Sequence, residues 1–154
     1  MILKVDDNAP PFVLPQGPGQ MVDAGAAFDE GPVLLLFYPL AFSSVCTEEF
    51  CTLRDDWSEW GELGVSVLGI SVDSSFVAQK FRQLEELPFP LLSDFNKDVC
   101  ASYGTLHDDA FGQRGISQRA VFLVARGGTI RYAWVGQDGE QVDFDGIRAA
   151  IAGL

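Results

Sequence analysis

Val33-Leu-Leu-Leu-Phe-Tyr38-Pro39-Leu-Ala-Phe-Ser43-Ser-Val-Cys46 is the stretch that decides how this chain folds. Val33 to Tyr38 is apolar or aromatic without a break, as expected of a strand buried on both faces of a sheet. Pro39 ends that strand and covers the loop after it. Thr47 to Glu62 then reads as a helix, with Phe50, Leu53, Trp57 and Trp60 recurring at spacings of three and four on a core-facing stripe. Gly61 and Gly64 close it. Cys46 therefore falls in the first turn of a helix at the carboxyl end of a buried strand. Amide groups there lack intrahelical partners and the helix dipole favours negative charge. A thiol so placed is pushed toward thiolate, the reactive form.

Upstream, Asn8 to Pro15 reads as an extended lead-in whose prolines confine it to an edge. Gln16 to Gln20 is a turn, and Met21 to Ala24 a second short strand. Downstream, Val65 to Val72 is another buried strand. Asp73 or Ser74 caps a helix over Phe76 to Leu87, with Phe76, Phe81 and Leu84 expected on its inner face. Pro88-Phe-Pro90 ends that helix, Leu91-Leu92 is a short strand, and Ser93 or Asp94 leads to a short helix near Asp98 to Tyr103. Ala120 to Ala125 and Thr129 to Val135 flank Arg126-Gly-Gly128, a hairpin signal. Phe144 to Leu154 is a final amphipathic helix. Strand–helix units followed by an antiparallel hairpin imply an α/β protein with a mixed central sheet flanked by helices, a thioredoxin-like fold. With no repeat, low-complexity tract or linker, residues 1–154 are expected to form one domain.

Charge narrows the function classes. The chain carries 22 acidic and 10 basic residues, a net charge of −12, and its only lysines are Lys4, Lys80 and Lys97. Neutralising nucleic-acid phosphates needs cations, so this balance argues against that partner. An acidic, lysine-poor surface is also what adaptation to high intracellular salt produces. No apolar run approaches the ~18–20 residues that span a bilayer, and Met1-Ile-Leu-Lys4-Val-Asp6-Asp7 lacks a leader pattern. The three cysteines, Cys46, Cys51 and Cys100, are too sparse for a secreted disulfide scaffold. The expected setting is a reducing cytoplasm.

Around Cys46, Ser43 can donate a hydrogen bond to the sulfur or to an oxygen arriving beside it. Glu49 lies one helical turn on and can orient a cation. Arg119 is the best cation available, because it begins the strand Arg119-Ala-Val-Phe-Leu-Val124, which a sheet of this type can end beside the Cys46 loop. A guanidinium there would stabilise thiolate and polarise a bound oxygen.

At these residues the chain resembles the peroxiredoxin family. Pro39-Leu-Ala-Phe-Ser43-Ser-Val-Cys46 is similar to its signature Pro-x-x-x-Thr/Ser-x-x-Cys, with serine where threonine is commoner. Arg119, Glu49, Leu91-Leu-Ser-Asp94 and Tyr103-Gly104 stand where family residues recur, and the resemblance runs from Ala9-Pro-Pro-Phe12 to the terminal helix. It is closest to the bacterioferritin-comigratory (PrxQ) and one-cysteine AhpE-like groups. The resemblance implies a thiol-dependent peroxidase acting on hydrogen peroxide and organic hydroperoxides. Cys46 would become a sulfenic acid, Ser43 and Arg119 would hold the two oxygens, Pro39 would shield the site and Glu49 would orient Arg119. It also implies a thioredoxin- or glutaredoxin-like reductant, a monomer or homodimer, and no cofactor or metal.

Cys51 matches a spacing used by the resolving cysteine of some bacterioferritin-comigratory proteins, which favours that role. Five helical residues rise about 7.5 Å and turn about 500°, beyond the ~7 Å Cα limit of a disulfide. A Cys46–Cys51 bond would need the first helical turns to unwind. Its alternative is a small apolar residue beside Phe50. Cys100 reads as a buried core cysteine. His107, the only histidine, sits in the polar stretch Leu106-His-Asp-Asp109 and is expected in an exposed loop, and one histidine with no clustered cysteines disfavours a zinc site. Gly112-Gln-Arg-Gly115 is a turn and not a phosphate loop. Trp57, Trp60 and Trp134 read as packing residues, and Phe42 and Phe111 as borders of the Cys46 pocket, ordinary core packing, or dimer-supporting loops.

Three rival readings fit less well. A disulfide carrier wants Cys-x-x-Cys and a proline before the late strand, where this chain has Cys-x-x-x-x-Cys and Arg119-Ala120. A cysteine hydrolase would need His107 beside Cys46 with an orienting partner. A chaperone or redox-signalling protein would pass its oxidation to other proteins as mixed disulfides.

Overall fold

The computed structural model describes residues 1–137 and 140–154. Its centre is β3, Val33–Phe37, with every residue buried. β3 lies in a five-stranded sheet between β4 (Ser66–Ser71), which it pairs in parallel, and β8 (Ala120–Val124), which it pairs antiparallel. β5 (Leu91–Ser93) extends the sheet parallel beyond β4, and β9 (Ile130–Val135) closes the other edge antiparallel. The order β5-β4-β3-β8-β9 is the mixed sheet expected from the sequence.

Because side chains alternate across a strand, β3 feeds two cores. Leu34 and Leu36, with Tyr38 beyond the strand, pack with Phe50, Phe81 and Ile147 on one face. Val33, Leu35 and Phe37 pack with Phe28, Tyr103 and Phe122 on the other. Each such side chain contributes about 1.5–3 kcal/mol on leaving water, so an uninterrupted apolar run is what holds both layers on one strand.

Helices cover both faces: α1 (Ala24–Glu30), α2 (Ser44–Asp55), α3 (Trp57–Glu62), α4 (Ser75–Leu84), α5 (Asp98–Tyr103) and α6 (Phe144–Ala152). β1 (Val13–Gly17) and β2 (Gln20–Asp23) are the two early strands expected, the first bearing Pro15, and they pair antiparallel. α1 follows at once, capped where Asp23 accepts from the Ala26 amide at 3.0 Å. It is too short and too poor in large apolar residues to announce itself by periodicity. A further pair, β6 (Leu106–His107) and β7 (Ile116–Ser117), joins antiparallel next to the Cys46 region. Among the described residues no helix is long and apolar enough to cross a membrane.

Two helix expectations are corrected. The helix expected over Thr47–Glu62 begins three residues earlier and breaks at Asp56, whose φ of −100° and ψ of 16° leave the helical region. With the break, Trp57 faces Phe89 at a ring separation of 5.6 Å while Trp60 packs edge-on to Phe144 at 5.9 Å. In α4, Phe76 and Leu84 are 70% and 58% exposed, and the inner face is Ala78 and Phe81. At about 100° per residue, Phe76 lies opposite the Ala78–Phe81 stripe and Leu84 about a quarter turn from it. The helix then stops at Glu85, and the chain beyond it buries Leu87 instead.

Candidate active site

Cys46 is the third residue of α2 and is fully buried. Its helix starts at Ser43, whose extended backbone turns the chain out of the loop. β3 and β8 pair with Phe37 opposite Ala120, so Arg119, one residue before β8, stands at the end of β3 where the loop departs. That register brings residues 73 apart in sequence together: Arg119 Nη2 donates to Cys46 Sγ at 3.0 Å. Arg119 Nη1 donates to Glu49 Oε2 at 2.5 Å. Glu49 is one turn after Cys46 on the same face of α2, and both partners of the ion pair are buried.

The pair is lopsided. Among the described residues, Glu49 Oε1 is buried without a hydrogen-bond partner, as is Tyr38 Oη. Burial therefore raises the Glu49 pKa, and Arg119 only partly offsets it. Burial works against the Arg119 charge too, but Glu49 and Cys46 outweigh it and hold its proton more firmly. The guanidinium has two acidic partners and the carboxylate has one cation, so the cation is the settled member. A buried oxygen left unpaired costs about 1–3 kcal/mol.

The loop between β3 and α2 is anchored from a side the sequence did not announce. Asp73 accepts from the Ala41 amide at 2.7 Å and from the Ser71 hydroxyl at 2.7 Å. Phe42 adopts φ +68°, and its ring packs on Phe81 at 4.9 Å. The Ser43 hydroxyl donates to the Leu40 carbonyl at 3.1 Å and not to the Cys46 sulfur, the first of the two partners its sequence position offers. Asp73 read only as a helix cap, because a carboxylate after a strand carries no mark of the loop it will hold 32 residues back.

Next to Arg119 and the start of α2 is a cavity of about 200 Å³, lined by Pro39, Ser43, His107, Phe111, Gln118 and Arg119 among others. His107 is thus not in an exposed loop. It is half-buried on β6, and its Nδ1 accepts from the Asp109 amide at 3.2 Å. Phe111 borders the cavity, whereas Phe42 belongs to the packing on Phe81. A larger groove, about 770 Å³, runs between Phe12, Phe76 and Phe95 and contains none of Cys46, Arg119 or Glu49. Arg119 alone of the three lines the smaller cavity, and its guanidinium connects that cavity to the buried Cys46 sulfur.

The other cysteines stand apart. The Cys51 thiol donates to Glu85 at 3.4 Å, away from Arg119. Cys100 is buried, and burial with its Asp94 neighbour pushes its thiol up to about 12. Asp94 accepts from the Val99 and Cys100 amides at 3.2 and 2.7 Å, holding the start of α5. All three cysteines are free.

The family model described as the AhpC/TSA family matches residues 5–133. A bcp relative from Coxiella burnetii is 39% identical over 156 residues, covering 99% of each chain. The peroxiredoxin Bcp of Escherichia coli K12 is 38% identical over 135 residues, covering 86% of this chain and 85% of its own. Among solved structures, peroxidoxin BcpB from Mycobacterium tuberculosis superimposes with a TM-score of 0.88 at 28% identity, over 99% of this chain and 98% of that one. Mycobacterium tuberculosis AhpC shares the fold with a TM-score of 0.85 at 22% identity, over 99% and 93%.

Proposed function

From the premise that this chain belongs to the AhpC/TSA family of peroxiredoxins, we propose that Cys46 is the thiol that attacks peroxide. The protein is a thiol-dependent peroxidase. The observation that carries the residue assignment is Arg119, which bridges the buried Cys46 Sγ and Glu49 and itself lines a small cavity.

The Cys46 thiolate attacks one oxygen of the peroxide. A S–O bond forms, the O–O bond breaks, and the sulfur becomes a sulfenic acid while the second oxygen leaves as water or alcohol after taking up a proton. Arg119 can follow the charge from the sulfur to the departing oxygen without moving far, the kind of aimed cation that lowers a barrier. Ser43 can turn its hydroxyl from the Leu40 carbonyl to the arriving oxygen. Pro39 keeps water from the loop, and Glu49 holds Arg119 in line. Pro39, Phe111 and Ala110 give the cavity an apolar side, which supports organic hydroperoxides beside hydrogen peroxide as substrates.

Cys51 resolves the sulfenic acid in this reading, and a thioredoxin- or glutaredoxin-like donor reduces the disulfide. Both cysteines lie within α2, so the first turns must unwind in each cycle. The protein works as a monomer or homodimer in the cytoplasm, a setting supported by its three unpaired cysteines.

Mass spectrometry of the reduced protein after one equivalent of hydrogen peroxide, with thiols blocked, tests this. Loss of two hydrogens with a Cys46–Cys51 crosslink is expected. One added oxygen on Cys46 with Cys51 free would make it a one-cysteine enzyme using an outside thiol. An unchanged Cys46 would sink the assignment, and Cys46→Ser is expected to abolish turnover.

A further inference from the structure

α2 is held on a second side, away from Arg119. Glu85, the residue at which α4 ends, accepts the Cys51 thiol on its carboxylate at 3.4 Å. Its backbone carbonyl accepts from Arg54 Nη1 at 2.7 Å, and the same guanidinium lies 3.9 Å from its carboxylate. Cys51 and Arg54 are one turn apart on α2, so both reach one residue of α4. The charged groups facing the Cys51 sulfur are Glu85 from α4 and Arg54 and Asp55 from its own helix.

We propose that Glu85 is a latch on Cys51, a positioning residue that holds the resolving thiol protonated and docked until α2 unwinds. The proposal rests on the reading of Cys51 as the resolving cysteine. The resolving step breaks the S–O bond of Cys46 sulfenic acid, forms the Cys46–Cys51 S–S bond, and releases water from the sulfenic hydroxyl and the Cys51 proton. It requires Cys51 to give up that proton and to leave its docked position. Glu85 opposes both, because its carboxylate favours the thiol over the thiolate and binds it to a different helix. Burial acts on Cys51 in the same direction, while Arg54 acts against it. The consequence is a sulfenic acid at Cys46 that outlives the first encounter, open to a second peroxide when peroxide is abundant.

The test is the rate of Cys46–Cys51 crosslinking after one equivalent of peroxide, by quenched flow and mass spectrometry, across pH 5.5–9, in the wild type and Glu85→Gln. Glutamine keeps the shape, the acceptor and the backbone carbonyl but removes the charge. The expected result is crosslinking faster by about three- to tenfold at pH 7, with its pH midpoint moved down. Oxidation of Cys46 itself should be unchanged, and less sulfinic acid should form under excess peroxide. An unchanged rate and midpoint would mean a merely structural contact and overturn the latch. Slower crosslinking would make Glu85 a proton acceptor for the step and overturn it too. A wild type that forms no crosslink would instead remove the resolving role of Cys51 and the latch with it, a readout distinct from either.

Discussion

The two sides of α2 are built from the same kinds of group and differ in what surrounds them. On one side Cys46 and Glu49 share Arg119, all buried. On the other Cys51 and Arg54 share Glu85, and Arg54 and Glu85 keep about a third of their side-chain surface exposed. Away from water, an arginine between sulfur and carboxylate makes a strong, fixed electrostatic contact. At the surface the same geometry is screened and weak. The buried side can therefore hold a reacting geometry, and the exposed side can let go. In the proposed cycle α2 presents Cys46 rigidly and releases Cys51, and that cycle needs both.

The largest expected break in this contrast is Arg119→Met. Peroxide reduction should fall by about 10²–10³, and the unpaired Glu49 should destabilise the fold by about 3–5 kcal/mol. Adding Glu49→Gln should recover part of the stability and none of the rate, measured by denaturant unfolding and stopped-flow kinetics. If the double variant recovered rate as well, Arg119 would be structural.

Glu49→Gln alone should slow peroxide reduction by about tenfold, through a less firmly aimed Arg119. It should also change the pH dependence of stability. Burial raises the folded pKa of Glu49 from 4.5 to about 7, so the folded state holds more protons than the unfolded state between those values. The stability this contributes is complete below 4.5 and is lost as pH rises through about 7. The glutamine variant should lack that decline in unfolding experiments from pH 4.5 to 8; a decline of equal slope would assign it to another group.

The smallest effect is expected on the exposed side. Arg54→Ala should leave the first oxidation of Cys46 unchanged and shift the unfolding midpoint little, since its contacts are open to solvent. It should not speed crosslinking as Glu85→Gln does, because the Glu85 carboxylate remains on Cys51 and the cation that opposes it is gone. A peroxide-step loss like that of Arg119→Met would erase the distinction between the two sides.

Much of the fold and of the candidate site was legible beforehand. The apolar run of β3, the place of Cys46 in the first turn of a helix and the hairpin at Arg126-Gly-Gly128 are local patterns, and the structure places them as read, although that helix starts at Ser44 and not at Thr47. Glu49 was legible because its relation to Cys46 is one turn of one helix. Arg119 was legible only because the strand after it could be set against β3. The misses share a cause. Phe76 and Leu84 fit an apolar periodicity, but which face of α4 is inward depends on where β1 and β5 lie against it. His107 looked exposed because its neighbours are polar, yet pairing with β7 draws it to the cavity wall.

The sequence alone determined that a buried strand would deliver a cysteine into the first turn of a helix, since strand burial and helix phase are properties of neighbouring residues. Only the tertiary structure decided what each face of that helix meets: Arg119 from 73 residues away on one side, Glu85 from 34 away on the other, and Asp73 under the loop. Those partners are chosen by sheet register and helix docking. A one-residue slip of β8 would turn Arg119 to the opposite face and leave the local pattern of every segment unchanged.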